Sequence, residues 1–276
     1  MRGPIASNGW KTIKRSFVIL AVVIGLFTPA FAQSDLPVPM VIAHRGVVTE
    51  TITENSLESL DAAIERGYTH IEVDLRPTKD GHAVCLHDRS LKRTTGIEKN
   101  LDDVTLEQLR ELVSKEKVPS FAEFCEHAAG RIQLMPDIKD SPSALIDAFT
   151  ASIDATMTKH GLFDHALFIG RPDIGRRFLG KGRLAWRAPL DKVRENDRAK
   201  DEPGKYFFIF NHGADFEKAD VDGFHELGLM VVVSINTFHY TTGDPMQGGI
   251  DHIRKMIALG VDGLQIDSVY DHAVFE

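Results

Sequence analysis

The sequence contains little cysteine, which limits how covalent bonds could stabilise the fold. Among 276 residues, only Cys85 and Cys125 are cysteines. In an oxidising compartment two cysteines can pair. However, Cys85 falls in an apolar, strand-like run and Cys125 in a predicted helix over residues 120–129. We therefore favour two buried thiols over a disulfide.

The chain also lacks an excess of positive charge. It has 32 Lys and Arg residues against 40 Asp and Glu residues, a formal net charge of −8. An acidic chain disfavours a nucleic-acid partner, because such partners are bound through basic surfaces. An anionic ligand must then be held by local cations rather than by a general field. We expect a small-molecule ligand, and the sequence leaves the oligomeric state open.

Long apolar stretches are absent except near the N-terminus. Residues 17–27 are apolar but too few to cross a bilayer, and basic residues precede them. Ala-Phe-Ala at 30–32 matches a signal-peptidase site. We expect residues 1–32 to be a secretory signal and residues 33–276 to be a periplasmic or secreted chain without a stable membrane span. Cleavage would remove four basic residues and change the net charge from −8 to −12. An uncleaved anchor is the alternative.

Two carboxylates stand two residues apart in a strand-like run. Glu72 and Asp74 share one face of such a strand, whereas Ile71, Val73 and Leu75 form the opposite, apolar face. Neighbouring carboxylates repel each other unless a cation lies between them. Oxygen ligands suit a hard ion such as Mg²⁺ or Ca²⁺. We expect the acidic face to point into a barrel; a solvated outer face is the alternative.

Histidines end two apolar runs on either side of these carboxylates. His44 ends the first and precedes Arg45, and His87 ends the run at residues 83–86. Active sites of α/β folds lie at the carboxyl ends of parallel strands. The turn at residues 78–81 is too short for a parallel crossover, so the second run must return antiparallel. Both histidines are therefore expected near one site.

Six short motifs follow one another along this region. They are His44-Arg45-Gly46, Glu54-Asn55, Glu72-Val73-Asp74, Thr78-Lys79-Asp80-Gly81, His87-Asp88 and Arg93-Thr94-Thr95-Gly96. Their order and spacing resemble the glycerophosphodiester phosphodiesterase family, whose members are TIM barrels with a bound divalent cation. The family cleaves glycerophosphodiesters to sn-glycerol 3-phosphate and an alcohol. The resemblance implies that His44 and His87 act as acid and base, and that Glu72 and Asp74 bind one Ca²⁺ or Mg²⁺ ion.

A carboxylate and a lysine two residues apart follow at the end of the next predicted strand. Where the family has Glu-Ile-Lys, this chain has Asp137-Ile138-Lys139. We predict Asp137 as a metal ligand, and Lys139 with Arg45 as phosphate-binding residues. The Asp-x-Lys arrangement is similar to that of the sphingomyelinase D family. Pro136 indicates an edge strand or a bulge at this point.

The strand pattern predicts an α/β fold, a (β/α)₈ TIM barrel with a small insertion at residues 88–120. Eight strand-like runs occur besides the hairpin arm, the number that a closed barrel requires. No Gly-rich phosphate loop follows the first strand, which counts against a doubly wound sheet. The helix after His44 is predicted to begin at Asn55, with Glu58 completing a capping box.

Further side chains are candidates for second-shell positions or the pocket wall. They are Glu54, Asn55, Arg171, Trp186, Arg187, His212 and Asn236. If Arg171 and Arg187 both face the pocket, the leaving alcohol is expected to carry negative charge. An acid and a base acting together predict a bell-shaped dependence of rate on pH.

Three other functions remain open at this point. The first is phospholipase D-like cleavage of a lysophospholipid or sphingolipid, which would call for an exposed apolar rim, and we see no exposed aromatic cluster in the sequence. The second is a metal-independent phosphatidylinositol phospholipase C-like enzyme. The third is a barrel that binds phosphodiesters without catalysis.

Overall fold

The computed structural model describes Met1, Gly3 and residues 39–212 and 216–275. The predicted signal at residues 1–32 therefore lies outside the described residues, apart from Met1 and Gly3. The described strands are β1 (Met40–Ala43), β2 (His70–Pro77), β3 (Ala83–Cys85), β4 (Gln133–Ile138), β5 (Leu167–Gly170), β6 (Arg183–Trp186), β7 (Phe207–His212), β8 (Val231–Ile235) and β9 (Gly263–Ile266).

Helices connect and surround these strands. They are α1 (Leu57–Glu65), α2 (Lys92–Thr95), α3 (Leu106–Leu112), α4 (Phe121–Ala128), α5 (Ile146–His160), α6 (Pro172–Gly175), α7 (Leu190–Arg194), α8 (Lys218–Glu226), α9 (Pro245–Leu259) and α10 (His272–Phe275). In the part of the chain that is described, none of them is both long and apolar enough to pass through a lipid bilayer.

Eight of the strands form a closed parallel barrel. Their order is β1-β2-β4-β5-β6-β7-β8-β9, and β1 pairs with both β2 and β9, which closes the cylinder. Strand β3 pairs antiparallel with the end of β2, with Leu75 opposite Cys85. The predicted TIM barrel and its hairpin arm are both confirmed.

Alternation along the strands divides the apolar side chains into two layers. An inner cluster fills the barrel and includes Ile42, Met135 and Phe208. A larger outer cluster includes Ile71 and Val73 together with side chains of the surrounding helices. Because side chains two apart on a strand share a face, residues 72 and 74 of β2 point inward. The predicted orientation of the acidic face is confirmed.

The hairpin and the segment after it form a small cluster of their own beside the barrel. Its buried apolar residues are Val84, Leu86, Leu91, Leu101, Val104, Leu109 and Val118. Cys85 and Cys125 are both buried in the main outer cluster, and they are not bonded to each other. Burial raises the pKa of each thiol. The prediction of two buried thiols is confirmed.

Two local predictions are wrong. Helix α1 is capped by Ser56 rather than Asn55: Ser56 Oγ accepts from the backbone N–H of Ser59, and Ser59 Oγ accepts from that of Ser56.

Pro136 lies in β4, which pairs with both β2 and β5, so it marks no edge. The N–H groups of residues 133 and 139 donate to carbonyl groups on the β2 side. Backbone nitrogens along β4 alternate between its two neighbouring strands, so the nitrogen of Pro136 faces β5. The pairing of β5 with β4 begins only at Asp137. The missing N–H of Pro136 therefore costs no ladder bond.

Candidate active site

Three carboxylates meet at the carboxyl end of two neighbouring strands. Asp74 on β2 is paired with Asp137 on β4, and Glu72 lies two residues before Asp74 on the same face. One oxygen from each of the three lies within 4.8 Å of the others. Glu72 and Asp74 are buried, with exposed fractions of 1% and 0%. The structure thus brings together all three predicted metal ligands.

Positive charge from Lys139 and Arg45 only partly offsets the negative charge of this cluster. Burial, and then the charges of Asp74 and Asp137, raise the pKa of Glu72 well above its usual range. For Asp74, burial acts in the same direction but is outweighed by Lys139 and Arg45, so its pKa is lowered. Asp74 Oδ1 accepts no well-directed hydrogen bond, although Lys139 Nζ lies 2.7 Å away. Three carboxylates whose oxygens lie within 4.8 Å of one another fit a hard divalent cation.

Two residues with left-handed backbone conformations hold the carboxylates in place. At Arg45 (φ 59°) the backbone N–H donates to Glu72 Oε2 at 2.9 Å. At Asn55 (φ 56°) the side-chain amide donates to Asp74 Oδ2 at 2.7 Å and accepts from the Asp74 N–H at 3.0 Å. Non-glycine residues rarely adopt this conformation, and where they do it is often at a functional site. Asn55 therefore supports the carboxylate cluster.

The turn after β1 is closed by a glycine. Gly46 has φ +82°, and a Cβ atom there would lie 2.5 Å from Ser59 Oγ and 2.8 Å from the Ser59 carbonyl oxygen. A side chain at this position would push the turn away from α1. Gly46 therefore lets Arg45 reach both Glu72 and Asp74.

His44 is held by an aspartate from the last strand of the barrel. Its Nδ1 lies 2.6 Å from Asp267 Oδ1, and Asp267 also accepts hydrogen bonds from Asn236 Nδ2 and the Thr237 N–H. Burial raises the pKa of Asp267, but the hydrogen bond and charge of His44 together with Thr237 outweigh it, so that the pKa falls below its usual value. The sequence analysis did not assign Asp267 to the site. Its position at the end of a barrel strand was the available signal.

His87 is held by its own neighbour in the chain. Its Nδ1 lies 2.7 Å from Asp88 Oδ1, and Arg93 binds Asp88 and Glu54 with contacts of 2.6 Å each. Glu54 in turn accepts from Arg45 at 3.2 Å. The hydrogen bond from Arg93 contributes most to lowering the pKa of Asp88, and the hydrogen bond with His87 lowers it further. A continuous series of hydrogen bonds and ion pairs thus joins His87 to the carboxylate cluster.

The two histidines therefore share one arrangement. In each ring Nδ1 contacts an aspartate oxygen, and Nε2 has no hydrogen-bond partner in the described part of the chain. An aspartate at Nδ1 fixes the tautomer that carries a proton there and leaves Nε2 to exchange a proton with a ligand. Both rings line a cavity of about 560 Å³ together with Arg45, Glu72, Asp137 and Lys139.

The predicted pocket-wall residues fall into different positions. Arg171, Arg187 and Asn236 line this cavity, but Arg171 forms ion pairs with Asp140 and Asp173. The guanidinium group of Arg187 lies 5.2 Å from the Phe210 ring centroid.

Trp186 does not appear among the described residues that line this cavity. Trp186 packs against Phe207 in the outer layer, with ring centroids 5.2 Å apart, and lines a neighbouring cavity instead. Its role in the pocket wall stays a prediction. His212 is the last residue of β7, opposite Ser234, and its side chain lies outside the described structure.

Sequence reasoning missed Phe238 at the rim of the site. This side chain is 59% exposed and its ring lies 6.2 Å from that of His44. It lies in a single 3₁₀ turn at Thr237–His239 after β8, which is too short for a periodic pattern to indicate which way a side chain points. The exposed side chains of Val48 and Val269 line the same small cavity beside His44.

The barrel and its acidic site define a TIM-barrel protein with a candidate divalent-cation site between two aspartate-bound histidines. Residues 44–161 match the model of the glycerophosphoryl diester phosphodiesterase family. This stretch of the chain is therefore similar to that family, and it contains both histidines and all three carboxylates.

Individual relatives match part of the sequence, and solved structures share the fold. A probable glycerophosphodiester phosphodiesterase of Mycobacterium tuberculosis is 45% identical over 74 residues, which cover 27% of each chain. The matched stretches thus span less than half of the length of the curated relatives. A glycerophosphoryl diester phosphodiesterase from Parabacteroides distasonis has a similar fold, with a TM-score of 0.70 at 21% identity over 87% of both chains. A phosphodiesterase from Oleispira antarctica, solved with sn-glycerol-3-phosphate, has a TM-score of 0.65 at 20% identity, over 87% of this chain and 98% of that one.

Proposed function

We propose that the protein is a metal-dependent phosphodiesterase that hydrolyses glycerophosphodiesters to sn-glycerol 3-phosphate and an alcohol. The observation that carries this proposal is the cluster of Glu72, Asp74 and Asp137 beside two histidines, each with an aspartate at Nδ1. The names of its relatives, and the product held by the Oleispira antarctica protein, support the same substrate class.

The three carboxylates would hold one Ca²⁺ or Mg²⁺ ion. When bound, such an ion polarises a phosphoryl oxygen and offsets its charge. The residues of the chain surround that position with further positive charge. Burial lowers the pKa of Lys139, but Asp74, Asp137 and Glu72 outweigh it, so the net shift is upward and the ammonium group stays charged. Lys139 and Arg45 can therefore give charge-assisted hydrogen bonds to a phosphate.

The histidines supply the proton transfers. One Nε2 removes a proton from the nucleophile, and the other donates a proton to the leaving alkoxide. The aspartates Asp267 and Asp88 stabilise the imidazolium form of each ring through Nδ1. A general acid or base of this kind contributes about 10²–10⁴-fold to the rate.

The direct test is release of glycerol 3-phosphate from glycerophosphocholine by residues 33–276. We expect release that EDTA abolishes and that Ca²⁺ or Mg²⁺ restores. His44→Ala should lower the rate by about 10²–10⁴-fold. His160→Ala is the matched control, because His160 ends α5 at the opposite face of the barrel. Release that is equally fast in EDTA, or in His44→Ala, would contradict the proposal.

A second function is favoured by the rim of the site. Val48, Phe238 and Val269 expose apolar side chains around a cavity of about 300 Å³ that includes His44 and Arg45. Such a rim fits phospholipase D-like cleavage of a lysophospholipid. A lysophospholipase D of Rattus norvegicus is 35% identical over 98 residues, 35% of this chain and 31% of that protein. If this function holds, Phe238→Ser should lower the rate on lysophosphatidylcholine while the rate on glycerophosphocholine stays the same.

We also propose that the mature protein is located in the periplasm or outside the cell. This location is supported by the basic residues, the apolar stretch and the Ala-Phe-Ala motif within residues 1–32. Sequencing the N-terminus of the exported protein should find Gln33 first. A cytoplasmic chain that keeps residues 1–32 would contradict it.

A further inference from the structure

A side cavity opens where two strands of the barrel wall separate. The pairing of β5 with β6 ends at Phe168 and Leu184, so residues 169–170 and 185–186 have no partner across this seam. A cavity of about 400 Å³ lies there and is bordered by the ends of both strands. It shares four residues with the catalytic cavity. They are Ile169, Gly170, Arg171 and Arg187.

Gly170 forms the boundary between the two cavities. Its φ is +90°, and a Cβ atom there would lie 2.3 Å from both Asp137 Oδ1 and the Ile138 carbonyl oxygen. No side chain can therefore be added at this position without moving a proposed metal ligand. The absence of a side chain also keeps the boundary between the two cavities free of side-chain atoms at this residue.

Positive charge gathers around the side cavity although the chain is acidic. Four arginines line it, namely Arg171, Arg176, Arg187 and Arg198. Arg171 is neutralised by Asp140 and Asp173. Within the described residues, Arg176, Arg187 and Arg198 form no ion pair with a carboxylate.

Aromatic and apolar side chains make up the rest of the wall. Phe168, Leu184, Trp186 and Phe207 line the cavity, and the guanidinium group of Arg198 lies 6.0 Å from the Phe207 ring centroid. Asp197 and Asp201 border an adjoining cavity with Arg198, and Asp197 pairs with Lys200. The side cavity thus offers guanidinium groups without carboxylate partners above an apolar floor.

We propose that this side cavity binds the leaving alcohol and selects alcohols that carry a phosphate group of their own. The inference rests on the proposed function, since the alcohol of a diester must lie next to the phosphoryl group being cleaved. Guanidinium groups bind phosphate with paired hydrogen bonds, and they do so better than an ammonium group can. The aromatic floor would pack against the carbon skeleton of the alcohol. An acyl chain in the same place would leave three arginines facing hydrocarbon.

A matched pair of substrates tests this inference. Glycerophosphoinositol and glycerophosphoinositol 4-phosphate differ only in one phosphate on the alcohol. We expect kcat/KM to be about tenfold higher for the phosphorylated substrate, the size of one or more charge-assisted hydrogen bonds at an accessible site. The double variant Arg176→Gln, Arg198→Gln should lose most of that preference, mainly through a higher KM for the phosphorylated substrate.

Arg254→Gln is the control for general charge. Arg254 is an exposed arginine on α9 that pairs with Asp251, and its replacement should leave the preference as in the wild type. Hydrolysis of both substrates at equal efficiency would overturn this inference alone. A preference that persists in the double variant would overturn it as well. Hydrolysis of neither substrate, nor of glycerophosphocholine, would overturn the proposed function and this inference together.

Discussion

His44 Nδ1 and Asp267 Oδ1 lie 2.6 Å apart across the seam at which the barrel closes. His44 follows β1 and Asp267 follows β9, and these two strands pair in parallel along their whole length. The closure of the barrel therefore sets the orientation of a histidine that we propose takes part in catalysis. Asp267 is itself held by Asn236 and Thr237, so the contact is fixed from both sides.

Asp267→Asn should lower kcat by about 10–100-fold, the effect commonly seen when a residue that orients a functional histidine is changed. The neutral amide cannot stabilise the imidazolium form of His44. It presents either its N–H donor or its carbonyl acceptor to Nδ1, whereas the ring needs an anionic acceptor there. KM should change little, because Asp267 contacts the ring rather than the substrate. Steady-state kinetics on glycerophosphocholine measure both. A loss confined to KM would contradict this role.

The same aspartate predicts how stability depends on pH. The pKa of Asp267 is lower in the folded protein than its usual value. Its contribution is therefore fully present above the unfolded-state pKa of about 3.9 and is lost as the pH falls through the folded value. The free energy of unfolding can be measured with denaturant at pH 7 and near pH 3. The decrease between these two pH values should be smaller for Asp267→Asn than for the wild type. Equal falls would show that the interaction contributes nothing.

Asn55 should contribute to both stability and metal affinity. Asn55→Ala removes two hydrogen bonds to Asp74 and places an alanine at φ 56°, so we expect a loss of about 1–3 kcal/mol in unfolding free energy. Asn55→Gly removes the same bonds without the backbone strain. Both variants should bind Ca²⁺ more weakly by calorimetry, whereas only the alanine variant should show the larger loss of stability. Wild-type affinity in Asn55→Gly would contradict a supporting role.

Gly170 should be intolerant of a side chain, because the added Cβ would lie 2.3 Å from Asp137 Oδ1. We expect Gly170→Ala to weaken metal binding at least about tenfold by displacing that ligand. Gly180→Ala is the matched control: its φ of +85° imposes the same backbone strain, but its Cβ would have no neighbour closer than 3.9 Å. Equal effects of the two variants on metal affinity would show that strain alone is responsible.

Local patterns in the sequence were enough to predict the inward-facing carboxylate pair and the hairpin arm. Alternation in β2 placed Glu72 and Asp74 on the inner face, and the short turn at residues 78–81 required the hairpin that the structure contains. Both features depend on neighbours in the chain. The third carboxylate, Asp137, came from the resemblance to a known family, and the β2–β4 register brings it opposite Asp74.

Other features depend on register between distant strands or on competition between neighbouring residues. Asp267 is 223 positions from His44, and only the closure of the barrel brings them together. Asn55 and Ser56 could each cap α1; Ser56 caps it because Asn55 is engaged by Asp74. Trp186 is one residue past the inward-facing Ala185 and so points into the outer layer.

The measurement that tests the central claim most directly is recovery of activity during a metal titration. Protein stripped with EDTA would be titrated with Ca²⁺ or Mg²⁺ while glycerol 3-phosphate release from glycerophosphocholine is followed. We expect full activity at one ion per chain, and a Glu72→Gln variant that recovers little at the same ion concentration. Full activity in the stripped protein, or recovery by Glu72→Gln equal to that of the wild type, would contradict a catalytic cation on these three carboxylates.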